Sequence, residues 1–350
     1  MALQDTLLKQ LSESAGVSGA ENEIRQLIYD AIKDHVTDLR VDTMGNLLAV
    51  KKGTGKSSLK VMVAAHMDEV GFMVMGVDSD GLIKFSSVGG IDPRILPALR
   101  VHVGKDKTPG VITWKPIHLS WKEKDVKKTD SFRIDIGAEN KAAAEGKAQP
   151  GDRVTFASET IALTENIVRG KAFDDRAGCA ELIELIKGDP FPFDLLVAFT
   201  VQEEIGSRGA QIAAQGLKPD VAIVLEATAA HEVPQSDDEP DITTVTKLGH
   251  GPVITYMDKG SIAHPGLRKL FVRVAEQLGI PHQFRSPQYA GGTDAAVIHV
   301  ANAGVATITI SVPCRYLHSP YLMLDLNDFQ NVVKLVRTTL MQLSPSDLER

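Results

Sequence analysis

The chain opens on helical spacing. Leu3, Leu7, Leu8 and Leu11 fall on one stripe, and Ile24, Leu27, Ile28 and Ile32 define the apolar face of a second helix. Ser18-Gly-Ala-Glu21 stands just ahead of that face with the form of a capping box, the serine accepting an N3 amide and the glutamate reaching back. The pattern then turns to strands. Residues 41–50 read as a strand pair broken at Met44-Gly45-Asn46, and 59–65 form an apolar run suited to a strand buried on both faces, ending at His66.

After about Val70 the pattern changes. Short β-like runs at 71–77, 82–88, 99–103, 110–113, 132–136 and 152–156 are separated by Gly, Pro and Lys, with one short helix at 139–145. That spacing predicts a small barrel or sandwich. From about residue 164 the larger periods return. Helices are read at 178–187, 267–279 and 327–343, and buried strands at 195–202, 221–226 and 305–312. The expected fold is therefore α/β, a three-layer sandwich with an inserted β-barrel-like domain. Residues 1–69 and 164–350 form the main domain and 70–163 the insertion. The acidic run 233–241 reads as a solvated loop.

Composition narrows the function. A formal charge of −7 argues against a nucleic-acid surface, which needs a Lys/Arg excess. No apolar stretch reaches the ~18 residues of a membrane span. The N-terminus lacks a basic segment followed by an apolar one, and Cys179 and Cys314 form no Cys-x-x-Cys pair, so a cytoplasmic protein without a cysteine zinc site is expected. Gly53-Thr-Gly-Lys-Ser57 is half a phosphate loop: Val50 replaces the first glycine, a strand follows, and it reads as a turn. Neither Gly-x-Ser-x-Gly nor His-Glu-x-x-His occurs. Cys179 reads as packed core.

The chemistry concentrates at predicted strand ends, where ligands bind in open α/β sheets. His66-Met-Asp68 puts an imidazole and a carboxylate on one side of an extended segment, either as a ligand with its supporting acid or as a satisfied structural histidine. Asp174-Asp175 opens a helix, as simple N-terminal acids or as a bridge between cations. Glu203-Glu204 ends an apolar strand; one acid can ligate while its neighbour faces a water. Glu226 ends another, and His318 follows a third. Two imidazoles with strand-end acids suit zinc or cobalt better than calcium or magnesium. Asp294, after Gly291-Gly-Thr293, reads as a helix cap rather than a ligand. Lys259 and Arg285 read as surface charges, with a specificity pocket for acidic residues as the alternative, and His231 as a loop histidine.

Taken together, Ala65-His-Met-Asp-Glu-Val-Gly-Phe72, Phe173-Asp-Asp-Arg-Ala-Gly178, Gln202-Glu-Glu-Ile-Gly-Ser-Arg-Gly209, Gly291-Gly-Thr-Asp294 and Arg315-Tyr-Leu-His-Ser319 resemble the tetrahedral, dinuclear metalloaminopeptidases, which include glutamyl and deblocking aminopeptidases. The resemblance runs over essentially the whole chain. It implies that Asp174 bridges two metals, one completed by His66 and Glu226, the other by Glu204 and His318. It makes Glu203 the general base and Asp68 the residue orienting His66. It implies short peptide substrates, and self-association through the insertion into dimers and a tetrahedral dodecamer. One departure stands out: Glu226 occupies a position where many members carry Asp, lengthening that ligand's reach. Two rival readings remain: a dinuclear deacylase or deacetylase on the same fold, and a non-catalytic metal-binding assembly protein. The second explains poorly why a spare acid stands beside a ligand.

Overall fold

In the computed structural model, residues 6–122, 125–233, 246–285 and 291–349 are described. Leu3 and nearly all of the acidic run 233–241 lie outside them. The buried runs assemble into one mixed sheet of eleven strands among the described residues. Its main path runs Thr37–Val41, Leu47–Lys51, Leu195–Thr200, Val61–His66, Val221–Ala230, Ala306–Arg315, Leu322–Asp325, Ile167–Gly170 and Ile161–Ala162. Val61–His66 lies between Leu195–Thr200 and Val221–Ala230 and is parallel to both. Val221–Ala230 also pairs in parallel with Ala306–Arg315. The carboxyl ends of these central strands therefore open on one edge.

Strand alternation builds three layers. Val61, Val63 and Ala65 face the helices Leu7–Glu13, Asn22–Ile32, Phe173–Lys187, Pro265–Leu278 and Leu326–Gln342, while Met62 and Ala64 pack with Arg208–Leu217 and Ala295–Ile298. The stripe Ile24, Ile28 and Ile32 is fully buried, contributing about 1.5–3 kcal/mol per side chain. The helix Arg208–Leu217 had no expectation in the sequence: its buried face is Gly209, Ala210, Ala213 and Ala214, too small to read as an apolar stripe.

The insertion closes as a six-stranded barrel of Gly71–Val77, Ile83–Val88, Arg100–Val103, Thr108–Ile112, Ile134–Asp135 and Arg153–Phe156. It has its own core, in which Phe72 meets Phe85 and Phe156 edge to face, with centroids 5.0 and 5.6 Å apart. No helix among the described residues is long and apolar enough to cross a membrane.

One local expectation is corrected. Ser18 does not cap the second helix: its hydroxyl donates to Asp68 Oδ2 at 2.6 Å, and Glu21 Oε1 accepts instead from Gly19 N. The buried carboxylate of Asp68 is the stronger acceptor and takes the hydroxyl away from the helix end.

Candidate metal centre

His66 closes its strand at the sheet centre, with Thr200 its neighbour in register. Its Nε2 lies 3.2 Å from Asp174 Oδ1 and 3.5 Å from Glu226 Oε2. His318, three residues beyond the strand Ala306–Arg315, puts Nε2 3.4 Å from both Asp174 Oδ2 and Glu204 Oε2. The two oxygens of Asp174 are thus divided between two imidazoles, each with a glutamate of its own. Asp174 achieves this by standing outside helical φ/ψ within the first turn of Phe173–Lys187. Asp175 is different: its oxygens accept from His66 N and Gly178 N, although one of them also falls within 4.8 Å of the ligand atoms of His66 and Glu226.

The supports are specific. His66 Nδ1 lies 3.1 Å from the backbone oxygen of Asp68 and 3.5 Å from its carboxylate, so the carbonyl is the closer partner. The Asp68 carboxylate is occupied by Ser18 and by the amides of Glu203 and Glu204 at 2.9 and 3.2 Å. His318 Nδ1 reaches Gly90 O of the barrel at 2.7 Å, a backbone partner that no sequence signal announced. Of the ten non-glycine residues with positive φ among the described residues, five border this site: Ala172, Gln202, Ser207, Tyr316 and His318. Such backbone conformations cost energy and recur at functional sites.

Asp294 corrects the helix-cap expectation. It precedes Ala295–Ile298 but makes no side-chain cap bond. Its Oδ2 accepts from Thr200 Oγ1 at 2.5 Å, and its Oδ1 is buried without a hydrogen-bond partner. Arg285 is half-buried rather than a plain surface charge, and it lines, with the exposed Lys259, a cavity of about 1010 Å³ shared with Asp174, Glu203, Glu226 and His318. Arg285 Nη1 is buried and has no hydrogen-bond partner among the described residues. His231, by contrast, is exposed beyond its strand.

The charges do not balance as protein alone. Burial, followed by neighbouring carboxylates, pushes Glu203 and Glu204 up to about 8. Burial and the acids around it hold Glu226 well above its usual range. Burial alone would lower His318, yet Asp174 and Glu204 raise it to about 9. Burial raises Asp174 less than the two imidazoles lower it, so its carboxyl falls below the ordinary range. Glu226 Oε2 is buried with no hydrogen-bond partner. The ligand atoms of His66, Asp174 and Glu204 fall within 4.8 Å of one another. An acid-rich, imidazole-containing cluster with an orphaned carboxylate oxygen fits divalent cations.

A sign follows for the metal-free protein. Raised carboxyls make the folded chain bind more protons than the unfolded chain from the ordinary carboxylate range up to about pH 8. His318 acts in the same direction, its contribution fading as pH rises through about 9. The melting temperature of chelated protein should fall between pH 6 and pH 9. Zinc should flatten that slope, because the ions replace protons on the same atoms. Differential scanning fluorimetry at both pH values checks this; a metal-free protein equally stable at both would contradict it.

An α/β sheet with imidazole and carboxylate donors gathered at its strand ends, roofed by an inserted barrel, defines the class: a metal-dependent hydrolase. Within that class, the chain belongs to the M42 glutamyl aminopeptidase family, whose profile matches residues 45–335. It is 37% identical to the lysyl aminopeptidase of Pyrococcus furiosus, over 97% of this chain and 98% of that one. An aminopeptidase from the archaeon Desulfurococcus kamchatkensis superposes with a TM-score of 0.91 at 35% identity, covering 98% of this chain and 96% of the other. A TET1 peptidase of Pyrococcus horikoshii, described as assembling into a tetrahedron or a large octahedral shell, superposes at 0.85 with 35% identity, over 96% and 98% of the two chains.

Proposed function

We propose that this protein is a two-metal aminopeptidase that removes N-terminal residues, acidic ones preferentially, from short peptides. The observation carrying this reading is the division of the Asp174 oxygens between two imidazole–glutamate pairs, with Glu203 half-buried on the same cavity and in neither pair. His66 and Glu226 would hold one ion, Glu204 and His318 the other, and Asp174 both. Two such ions, zinc or cobalt, would supply Lewis-acid activation of a water and of the scissile carbonyl. Glu203 takes a proton from the attacking water and returns it to the leaving amine. Among the described residues its carboxylate receives only a long hydrogen bond, 3.3 Å from the Ser207 hydroxyl, which leaves it able to do so. Asp68 fixes the His66 ring through its carbonyl and, through its carboxylate, the Glu203-Glu204 backbone.

Specificity rests on the cavity cations. The Arg285 Nη1, buried with no hydrogen-bond partner among the described residues, is an atom that a substrate carboxylate can meet. Residues 70–163 would carry self-association into dimers and a tetrahedral dodecamer, as the assembly of the Pyrococcus horikoshii relative supports. We place the enzyme in the cytoplasm, consistent with two free, buried cysteines.

The test is a panel of aminoacyl-p-nitroanilides and their N-acetylated counterparts, with zinc or cobalt and with EDTA. Cleavage of free-amine substrates only, abolished by EDTA, is expected. Preference for the acetylated set would replace the reading with a deacylase. Cleavage of neither set by metal-loaded protein would leave an assembly protein.

A further inference from the structure

We infer that a groove on the inserted barrel, next to the metal cavity, holds the downstream part of a peptide substrate. The inference rests on the aminopeptidase reading. The groove has a volume of about 530 Å³, and its walls include Trp114, Ile117, Trp121 and Val126. These four are 57, 65, 71 and 58% exposed, an unusual concentration of large apolar side chains in open solvent.

Its position names the occupant. Arg94 lines both the groove and the metal cavity, so one short turn, Pro93–Ile95, separates the two. That turn is pinned. Asp92 Oδ1 accepts from Arg94 N at 2.9 Å, and Oδ2 from Arg94 Nε at 2.7 Å. The Arg94 charge is therefore paired at the crossing and selects no particular substrate charge. An aminopeptidase needs only the first residue and its carbonyl at the metals, so the rest of the peptide has to leave the cavity over its rim. An extended chain advances about 3.3 Å per residue, so a few residues carry it across one turn. Indole and proline faces on the far side are sequence-tolerant contacts, as an enzyme working inward along varied peptides requires.

The experiment uses Trp114→Ala, Trp121→Ala and the double variant, in metal-loaded protein. Each is assayed on an aminoacyl-p-nitroanilide and on a ten-residue apolar peptide with the same N-terminal residue. Melting temperature and sedimentation are measured alongside. The expected result is kcat/KM within twofold of wild type on the anilide and about tenfold lower on the decapeptide, mainly through KM, with unchanged sedimentation. Trp114→Phe should recover most of the loss. Equal effects on both substrates, or none on either, would overturn the inference. So would a loss of assembly in the variants, which would assign the groove to a second copy. Failure of the wild type to cleave the anilide at all would instead count against the aminopeptidase reading, before any variant is compared.

Discussion

Glu203→Gln should lower kcat by about 10²–10⁴-fold while metal content and fold stay as in the wild type. The amide is nearly isosteric with the carboxylate, so the cavity keeps its shape. What disappears is a group that can take a proton and return it. Glu203 lies outside both imidazole–glutamate pairs, so its loss should spare metal binding. Glu204→Gln should behave differently: its oxygen faces His318 at 3.4 Å, and the change should reduce metal occupancy along with rate. Metal analysis by mass spectrometry next to steady-state kinetics separates the two. Comparable metal loss in both variants would show that Glu203 is a ligand rather than the base.

Arg285→Ala should cost about thirty- to several-thousandfold in kcat/KM on a glutamyl anilide and little on a leucyl one. Truncating one member of a desolvated ion pair costs about 2–5 kcal/mol, because the remaining charge is left buried. The free enzyme already carries half of that pair: a guanidinium whose Nη1 is buried without a partner among the described residues, with Nη2 beside Gly291. Lys259, on the same cavity, should contribute less, since it is exposed and its ammonium is well hydrated. The family profile is described by glutamyl activity and one close relative by lysyl activity. Residues of the cavity, rather than membership, therefore have to decide the preference. Equal losses on both anilides would remove Arg285 from specificity.

Much of this arrangement is legible in the chain. Apolar runs ending in His or Glu place His66, Glu203, Glu204 and Glu226 on one sheet edge, because parallel strands present their carboxyl ends together. The barrel is legible because each strand announces itself by period and turn residues. What escapes the pattern are partners brought from afar. Ser18 reads as a helix cap, since capping is local and its bond to Asp68, fifty residues on, is not. Gly90 contributes a carbonyl, which every residue has. Asp294 obeys the cap rule in position while its side chain turns to Thr200. Arg285 is indistinguishable from a surface charge until the cavity forms around it.

The central claim is that the chain holds two divalent ions at once. Cobalt titration of chelated protein, followed by metal analysis, visible absorption and activity, tests it most directly. The account predicts two equivalents bound per chain, with Asp174→Asn weakening both, because both imidazole–glutamate pairs share that carboxylate. Saturation at one equivalent with full activity, or full activity in protein stripped of metal, would contradict it.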